Sequence, residues 1–314
     1  MKTHPESVYR LTLLWAFAES GLGGLLHGFK LPVTGFVLGA FAVIIISLIA
    51  RIALNPARDI VQATLLVVAI KFAVSPHSPA PAYIAVIFQG MLGALIFRYS
   101  QHLVAVILFS VLALLESAFQ KPAIATLIFG KELWIALDEL MIAVGFTSRH
   151  GFSSLLLLIY FLVYSVWGVL VGIWTFQLPR RLKNLNVERA DRLHELPTSF
   201  GRWLKKLYLL LIVFLVMAII GVYLVNQTSP WFYIVRTFVI VLFLYFIVAP
   251  LIRIMLQRMS KDRLSTIDEY YTALPAIRQN VQWAYSVALR EKQWWKRADV
   301  FVLTLIWITV WHED

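Results

Sequence analysis

Six residues carry polar chemistry in or beside long apolar stretches of this 314-residue chain: Glu19, His27, Lys30, Lys71, Gln89 and Glu116. Three of them, Glu19, Lys71 and Glu116, are ionisable groups set inside those stretches. A charge in hydrocarbon costs several kcal/mol, by estimates from about 2.5 upward, so it usually faces a bundle interior or a watery cavity and finds a partner there. At a common depth, the carboxylates, the ammonium, the amide and the imidazole would together offer charge and hydrogen-bond partners to a small solute. The elements that carry them decide whether they meet.

Those elements are apolar helices. The chain is 60% hydrophobic and 14% charged, with a mean hydropathy of +0.78, unlike an ordinary soluble domain. Stretches near the roughly 20-residue spanning length recur along it. They are Val8–Phe29, Leu31–Ala53, Asp59–Ser75, Ala82–Phe97, His102–Phe119, Ser153–Phe176, Leu207–Val225 and Trp231–Leu251, with a marginal ninth at Ala298–Trp311. The expected fold is therefore an all-α, polytopic helical membrane protein. Met1–Ser7 is short, and no small-residue cleavage pattern follows it, so the first stretch reads as a transmembrane helix rather than a signal peptide.

The distribution of Lys and Arg orients the helices. Two long segments, Gln177–Lys206 and Ile252–Arg297, hold seventeen of the 28 Lys+Arg. An inside N-terminus puts both in the cytoplasm, together with the turns bearing Arg51, Arg58 and Arg98, as the positive-inside rule requires. The sequence then divides into a six-span unit (1–176), a basic cytoplasmic linker (177–206) and a C-terminal membrane unit (207–314) of two or three spans with cytoplasmic amphipathic helices. The expected location is the cell (inner) membrane. A net charge of +11 is read as basic loops beside anionic lipid, not as a nucleic-acid surface.

In this frame Glu19 lies near mid-depth, Lys71 in the outer half, Gln89 near the middle, and Glu116 with Gln120 at the outer end of the fifth span. His27 and Lys30 stand at the outer mouth. Polar groups thus collect toward the outer half, a pattern that suits an outward-opening cavity for a solute. The competing readings are a Glu19–Lys71 pair that merely locks two helices, and snorkelling of Lys71 and Glu116 to water.

Other features shape the surroundings. Ala16, Ser20, Gly23 and Gly24, then Gly35 and Gly39, repeat at helical spacing and permit close helix approach. Lys131–Val144 reads as an amphipathic helix in the outer loop Gln120–Phe152, either a lid or an interfacial helix. Ser260–Arg297 reads as two cytoplasmic amphipathic helices broken or kinked at Pro275, followed by Trp294 and Trp295 as an interfacial anchor. The absence of cysteine excludes disulfides and thiolate chemistry. No P-loop, H-E-x-x-H, G-x-S-x-G or D-x-x-D spacing occurs in an acidic loop, so no motif for nucleotide hydrolysis, metal catalysis or acyl transfer is present; no metal and no cofactor is expected.

The six-span unit, with its small residues on the first helix and polar groups near the outer face, resembles the S component of energy-coupling factor transporters. The stretch Tyr83-Ile-Ala-Val-Ile-Phe-Gln-Gly-Met-Leu-Gly-Ala-Leu-Ile-Phe97 is similar to a Gln-Gly-containing helix in some thiamine-precursor S components. His27-Gly-Phe-Lys-Leu-Pro-Val-Thr-Gly-Phe-Val-Leu-Gly39 is similar to the family's first loop and second helix. Ala16-Phe-Ala-Glu-Ser20 is the nearest match to the family's A-x-x-x-A docking face, and the coupling protein's Ala-Arg-Gly signature does not occur. The resemblance implies a transport protein that binds a vitamin-like or other organic solute from outside and works with separate ATPase and coupling subunits. The expected partners are that solute, membrane lipids and those cytoplasmic subunits, with no nucleic acid. The alternatives are a membrane scaffold or assembly protein docking a cytoplasmic partner, and an integral membrane enzyme acting on lipid.

Overall fold

The computed structural model describes residues 5–23, 34–75, 78, 80–143, 151–183 and 261–311. Every regular element among them is helical. In chain order they are α1 (Pro5–Phe17), a π-turn (Ala18–Leu22), α2 (Thr34–Ile52), α3 (Pro56–Val74), α4 (Ala80–Tyr99), α5 (Leu103–Phe129), α6 (Glu132–Ala143), α7 (Phe152–Lys183), α8 (Lys261–Ala288) and α9 (Trp294–Trp311). The chain divides into two compact units, Met1–Asn184 with Ile306–Asp314, and Leu185–Leu305. The expected spans Leu207–Val225 and Trp231–Leu251 lie outside the described residues, as does most of the basic linker.

Among the described residues, four helices are long and apolar enough to cross a membrane: Gly35–Ile52 of α2, Pro81–Tyr99 of α4, Leu103–Thr126 of α5 and Phe152–Leu182 of α7. The third expected span, α3, is long enough at 19 residues, but Arg58, Asp59 and Lys71 lower its apolarity. α1 has only 13 residues before the π-turn.

Helix α2 organises the first unit. It is apolar on all sides, the signature of a buried helix, and it touches α1, α3, α4, α5 and α7. Ala42, Val43, Ile45, Ile46 and Ile49 are almost wholly buried along it. By contrast, α7 leaves Leu155, Leu158, Leu162, Val166 and Leu170 exposed. A row of exposed large aliphatics on a helix of this length is a lipid-type surface.

Glycine sets the closest approaches. A Cβ added at Gly168 would stand 2.8 Å from Val111 Cα, and one at Gly172 would stand 2.8 Å from Ile107 Cα, so α7 lies directly on the α5 backbone. Further along α5, the Gly35–Gly39 pair of α2 meets Ser117 and Leu114. This G-x-x-x-G pair is thus a packing face, and Gly168-Val-Leu-Val-Gly172 is a second one with the same spacing.

The ends of the elements are fixed by polar groups. Asn55 caps α3 by accepting from Arg58 N–H at 3.3 Å, with Pro56 at the first position. The Gln101 amide donates to Ala50 O at 2.8 Å, tying the α4–α5 connection to the end of α2. Arg51 stacks its guanidinium 4.8 Å from the Phe176 ring centroid. Phe36 stacks on Trp167 at 4.5 Å, and the Trp167 indole donates to Phe36 O at 3.2 Å. Together these contacts hold α2 against α7.

Several boundaries differ from the sequence expectation, always by a helix running on. The fifth span was expected to stop at Phe119, yet α5 reaches Phe129 through Pro122. Proline removes one backbone donor, but the helix resumes, and Thr126 Oγ1 donates to Pro122 O at 2.7 Å. Likewise α7 continues past Phe176 to Lys183, so the first residues of the expected linker are helical. Pro275 was expected to break or kink the C-terminal amphipathic run into two helices, whereas α8 runs unbroken through it. Tyr271, whose carbonyl loses its donor at Pro275, is exposed, so solvent can replace that bond. The expected amphipathic helix at Lys131–Val144 is observed as α6, and Asp138 Oδ1 accepts from Ser153 N–H at 2.7 Å, capping the start of α7.

The glycine contacts give a direct test. Gly168→Ala places its methyl against backbone that cannot yield and should lower stability by about 1–3 kcal/mol. Gly21→Ala meets only the Phe17 ring at an ordinary 3.7 Å and should change it much less. Thermal unfolding of the two purified variants checks the contrast, and equal losses would contradict the close α5–α7 approach.

Candidate functional site

The densest polar cluster lies where α3 ends and α4 begins. Lys71, in the last turn of α3, is 1% exposed, and its Nζ donates to Glu19 Oε2 at 2.6 Å. The same ammonium lies 3.4 Å from Ala82 O and 5.7 Å from the Tyr83 ring centroid. Tyr83 in turn donates to Ser75 O at 3.0 Å, and Ser75 and Ser78 join their hydroxyls at 2.9 Å. The junction between the two helices is therefore closed by its own side chains.

Glu19 reaches Lys71 from the π-turn. This wider turn inserts into the first helix at Ala18–Leu22, and Gly23 N–H returns to Ala18 O. Such a turn shifts the angular position of the residues around it and often marks a functional segment. Ser20 Oγ donates to Ala16 O at 2.6 Å within the same segment. Gly23 leaves room beside the carboxylate: a Cβ there would lie 3.2 Å from Leu38 Cδ1 and 4.0 Å from Glu19 Oε2.

A second set of groups approaches the start of α4 from α5. The Gln120 amide donates to Pro81 O at 3.1 Å and also to Glu116 Oε1. Pro81 and Ala82 are neighbours, so two adjacent carbonyls receive donors from different helices, Gln120 of α5 and Lys71 of α3. Further along α4, Gln89 is 2% exposed and its amide nitrogen donates to Ser117 Oγ at 3.4 Å. Gly39 of α2 borders this contact; a Cβ there would be 3.5 Å from Ser117 Oγ and 3.6 Å from Gln89 Nε2.

The six sequence-derived residues thus have different fates. Glu19 and Lys71 form one ion pair. Glu116 joins the same region through Gln120 and the first turn of α4, and Gln89 contacts Ser117, the neighbour of Glu116. His27 and Lys30 lie outside the described residues. Gln120, Ser117, Tyr83 and the Pro81 and Ala82 carbonyls complete the cluster. Only Gln120 carried a sequence signal for this role, its four-residue spacing from Glu116 on one helix face.

Two buried acceptors in this cluster have no hydrogen-bond partner: Gln89 Oε1 and Glu116 Oε2. Buried polar atoms are nearly always satisfied, so such orphans ask for a ligand, ion or water. Among the described residues no group of three His, Asp or Glu side chains is placed to hold a metal ion. Comparison with protein-family models, curated proteins and solved structures returns no match.

The ion pair makes a clear energetic prediction. Lys71→Met strands the buried Glu19 carboxylate and should destabilise the protein by about 3–5 kcal/mol, because a lost partner leaves an uncompensated charge. Adding Glu19→Gln should recover most of that loss. Thermal unfolding of the single and double variants measures the coupling; simple additivity would contradict a direct pair.

Proposed function

We propose that this chain is a membrane transport protein that binds a small organic solute in the α1–α5 bundle, entering from the face opposite the basic loops. The observation that carries the reading is the pair of unpartnered buried acceptors, Gln89 Oε1 and Glu116 Oε2, beside an otherwise satisfied polar cluster. Four helices with spanning length and apolarity support placement in a bilayer.

The position of the cluster supports the orientation. Lys71 ends α3, Pro81 and Ala82 begin α4, and Gln120 reaches them from the later part of α5. Arg51, Arg58 and Arg98 stand at the other ends of α2, α3 and α4, where Gln101 ties the α4–α5 connection to the end of α2. In the cell (inner) membrane the arginine end faces the cytoplasm and the cluster faces outward, with the N-terminus inside. Separate ATPase subunits docking on the cytoplasmic face would supply the energy, as the resemblance to S components implies.

Within this reading the residues divide their work. Glu19 and Lys71 neutralise each other and hold α1, α3 and α4 together, so their part is to keep the site in shape. Gln89 and Glu116 are the groups with capacity left for a solute. Native mass spectrometry of the full chain, purified from cells grown in rich medium, tests this. A bound small molecule should accompany the wild-type protein and be lost from Gln89→Leu and Glu116→Gln. Retention of the same mass by both variants would remove these residues from the site, and a wild-type protein free of any solute under gentle extraction would count against the function.

A further inference from the structure

The hydrogen-bond balance of the cluster carries more than the existence of a site; it specifies what the site is built to receive. Among the donors of the cluster, Lys71 Nζ lies on Glu19 and Ala82 O, the Gln120 amide on Glu116 and Pro81 O, and the Gln89 amide on Ser117. Ser117 Oγ gives its own proton to Ala113 O at 3.4 Å, so it presents a lone pair to Gln89. With the amide so oriented, its oxygen is the free atom. The unpartnered atoms of these two residues, Gln89 Oε1 and Glu116 Oε2, are both oxygens.

Charge points the same way. Glu19 and Lys71 cancel at 2.6 Å, and the hydrogen-bond partner of Glu116 among the described residues is the neutral Gln120 amide. Lys121, the next cation along α5, is exposed. A hard metal cation wants six or more oxygen ligands, and two free oxygens do not supply them. A protonated nitrogen with several N–H groups uses two acceptors well, and one of them anionic makes the bond charge-assisted.

From this balance we infer that the solute is an organic cation bearing N–H donors, an ammonium or amidinium group, held between Glu116 Oε2 and Gln89 Oε1. The inference rests on the solute-binding reading above and narrows it: carboxylates and phosphates are disfavoured by the free acceptors and by the Glu116 charge.

Thermal-shift measurements on the purified full chain test the class with matched probes: benzamidine, benzylamine, benzyltrimethylammonium, benzyl alcohol and benzoate, with sodium and potassium chloride as ionic controls. Benzamidine and benzylamine should raise the unfolding temperature in a saturable way. Glu116→Gln, which preserves the Gln120 contact and the side-chain volume, should weaken both by tenfold or more. Benzyltrimethylammonium, which has charge but no N–H, should bind more weakly than benzylamine. Saturable stabilisation by benzoate that is lost in Gln89→Leu would overturn the cationic class while leaving a solute site in place. Stabilisation by sodium alone, lost in Glu116→Gln, would replace the organic cation by an inorganic one. Absence of any shift with the N–H cations at millimolar concentration would overturn the inference, whereas the broader reading stands or falls on whether a solute co-purifies.

Discussion

A buried ammonium cannot stay charged in an apolar bundle without a counter-charge, and Lys71 finds one in Glu19, fifty-two residues earlier in the chain. Much of the local architecture follows from bringing those two atoms together. The first helix widens into a π-turn where Glu19 sits, Gly23 leaves space beside the carboxylate, and α3 ends within a turn of Lys71. The remaining reach of the ammonium goes to Ala82 O, so the pair also anchors the first turn of α4. An ion pair of this kind adds little net stability compared with well-packed hydrocarbon, but its geometry is demanding, and it admits few alternative arrangements of three helices.

Around this constraint, packing is governed by the absence of side chains as much as by their presence. α5 is approached at one level by Gly35 and Gly39 and at another by Gly168 and Gly172. Between them these glycines bring α2 and α7 onto a common neighbour. Gly90 of α4 faces Thr64 of α3 so closely that a Cβ there would overlap the threonine side chain. Thr64 itself is buried, and its hydroxyl donates to Ile60 O at 2.7 Å within its own helix, so no further partner is required. The polar cluster sits at one end of a frame held by such backbone-close contacts, which is the rigidity that a binding site needs.

The helical character of the chain was legible because long apolar runs have few other stable forms, and the Glu19–Lys71 pair was one of two competing readings, as a contact that locks two helices. The π-turn was not legible, since it depends on which angular position lets Glu19 reach its partner. Nor were the Pro81 and Ala82 carbonyls, because main-chain acceptors leave no mark in the sequence and their donors come from two other helices. Pro275 misled because a proline lacks a donor, yet a long helix can lose one bond and continue, as the helices that carry Pro122 and Pro179 also do. Gln89 and Glu116 could be singled out as polar residues in apolar helices, yet only their surroundings distinguish a satisfied atom from an orphaned one.

The sequence separation of the ion pair has a consequence for how the chain is made. Ribosomes deliver α1 first and α3 much later, so Glu19 enters the bilayer before its counter-ion exists. Meanwhile α3, burdened by Arg58, Asp59 and Lys71, is the poorest candidate for independent insertion among the long helices of the first unit. Each of the two segments thus needs the other to become a comfortable resident of the membrane. Burial of either charge in an apolar bundle is then coupled to burial of the other.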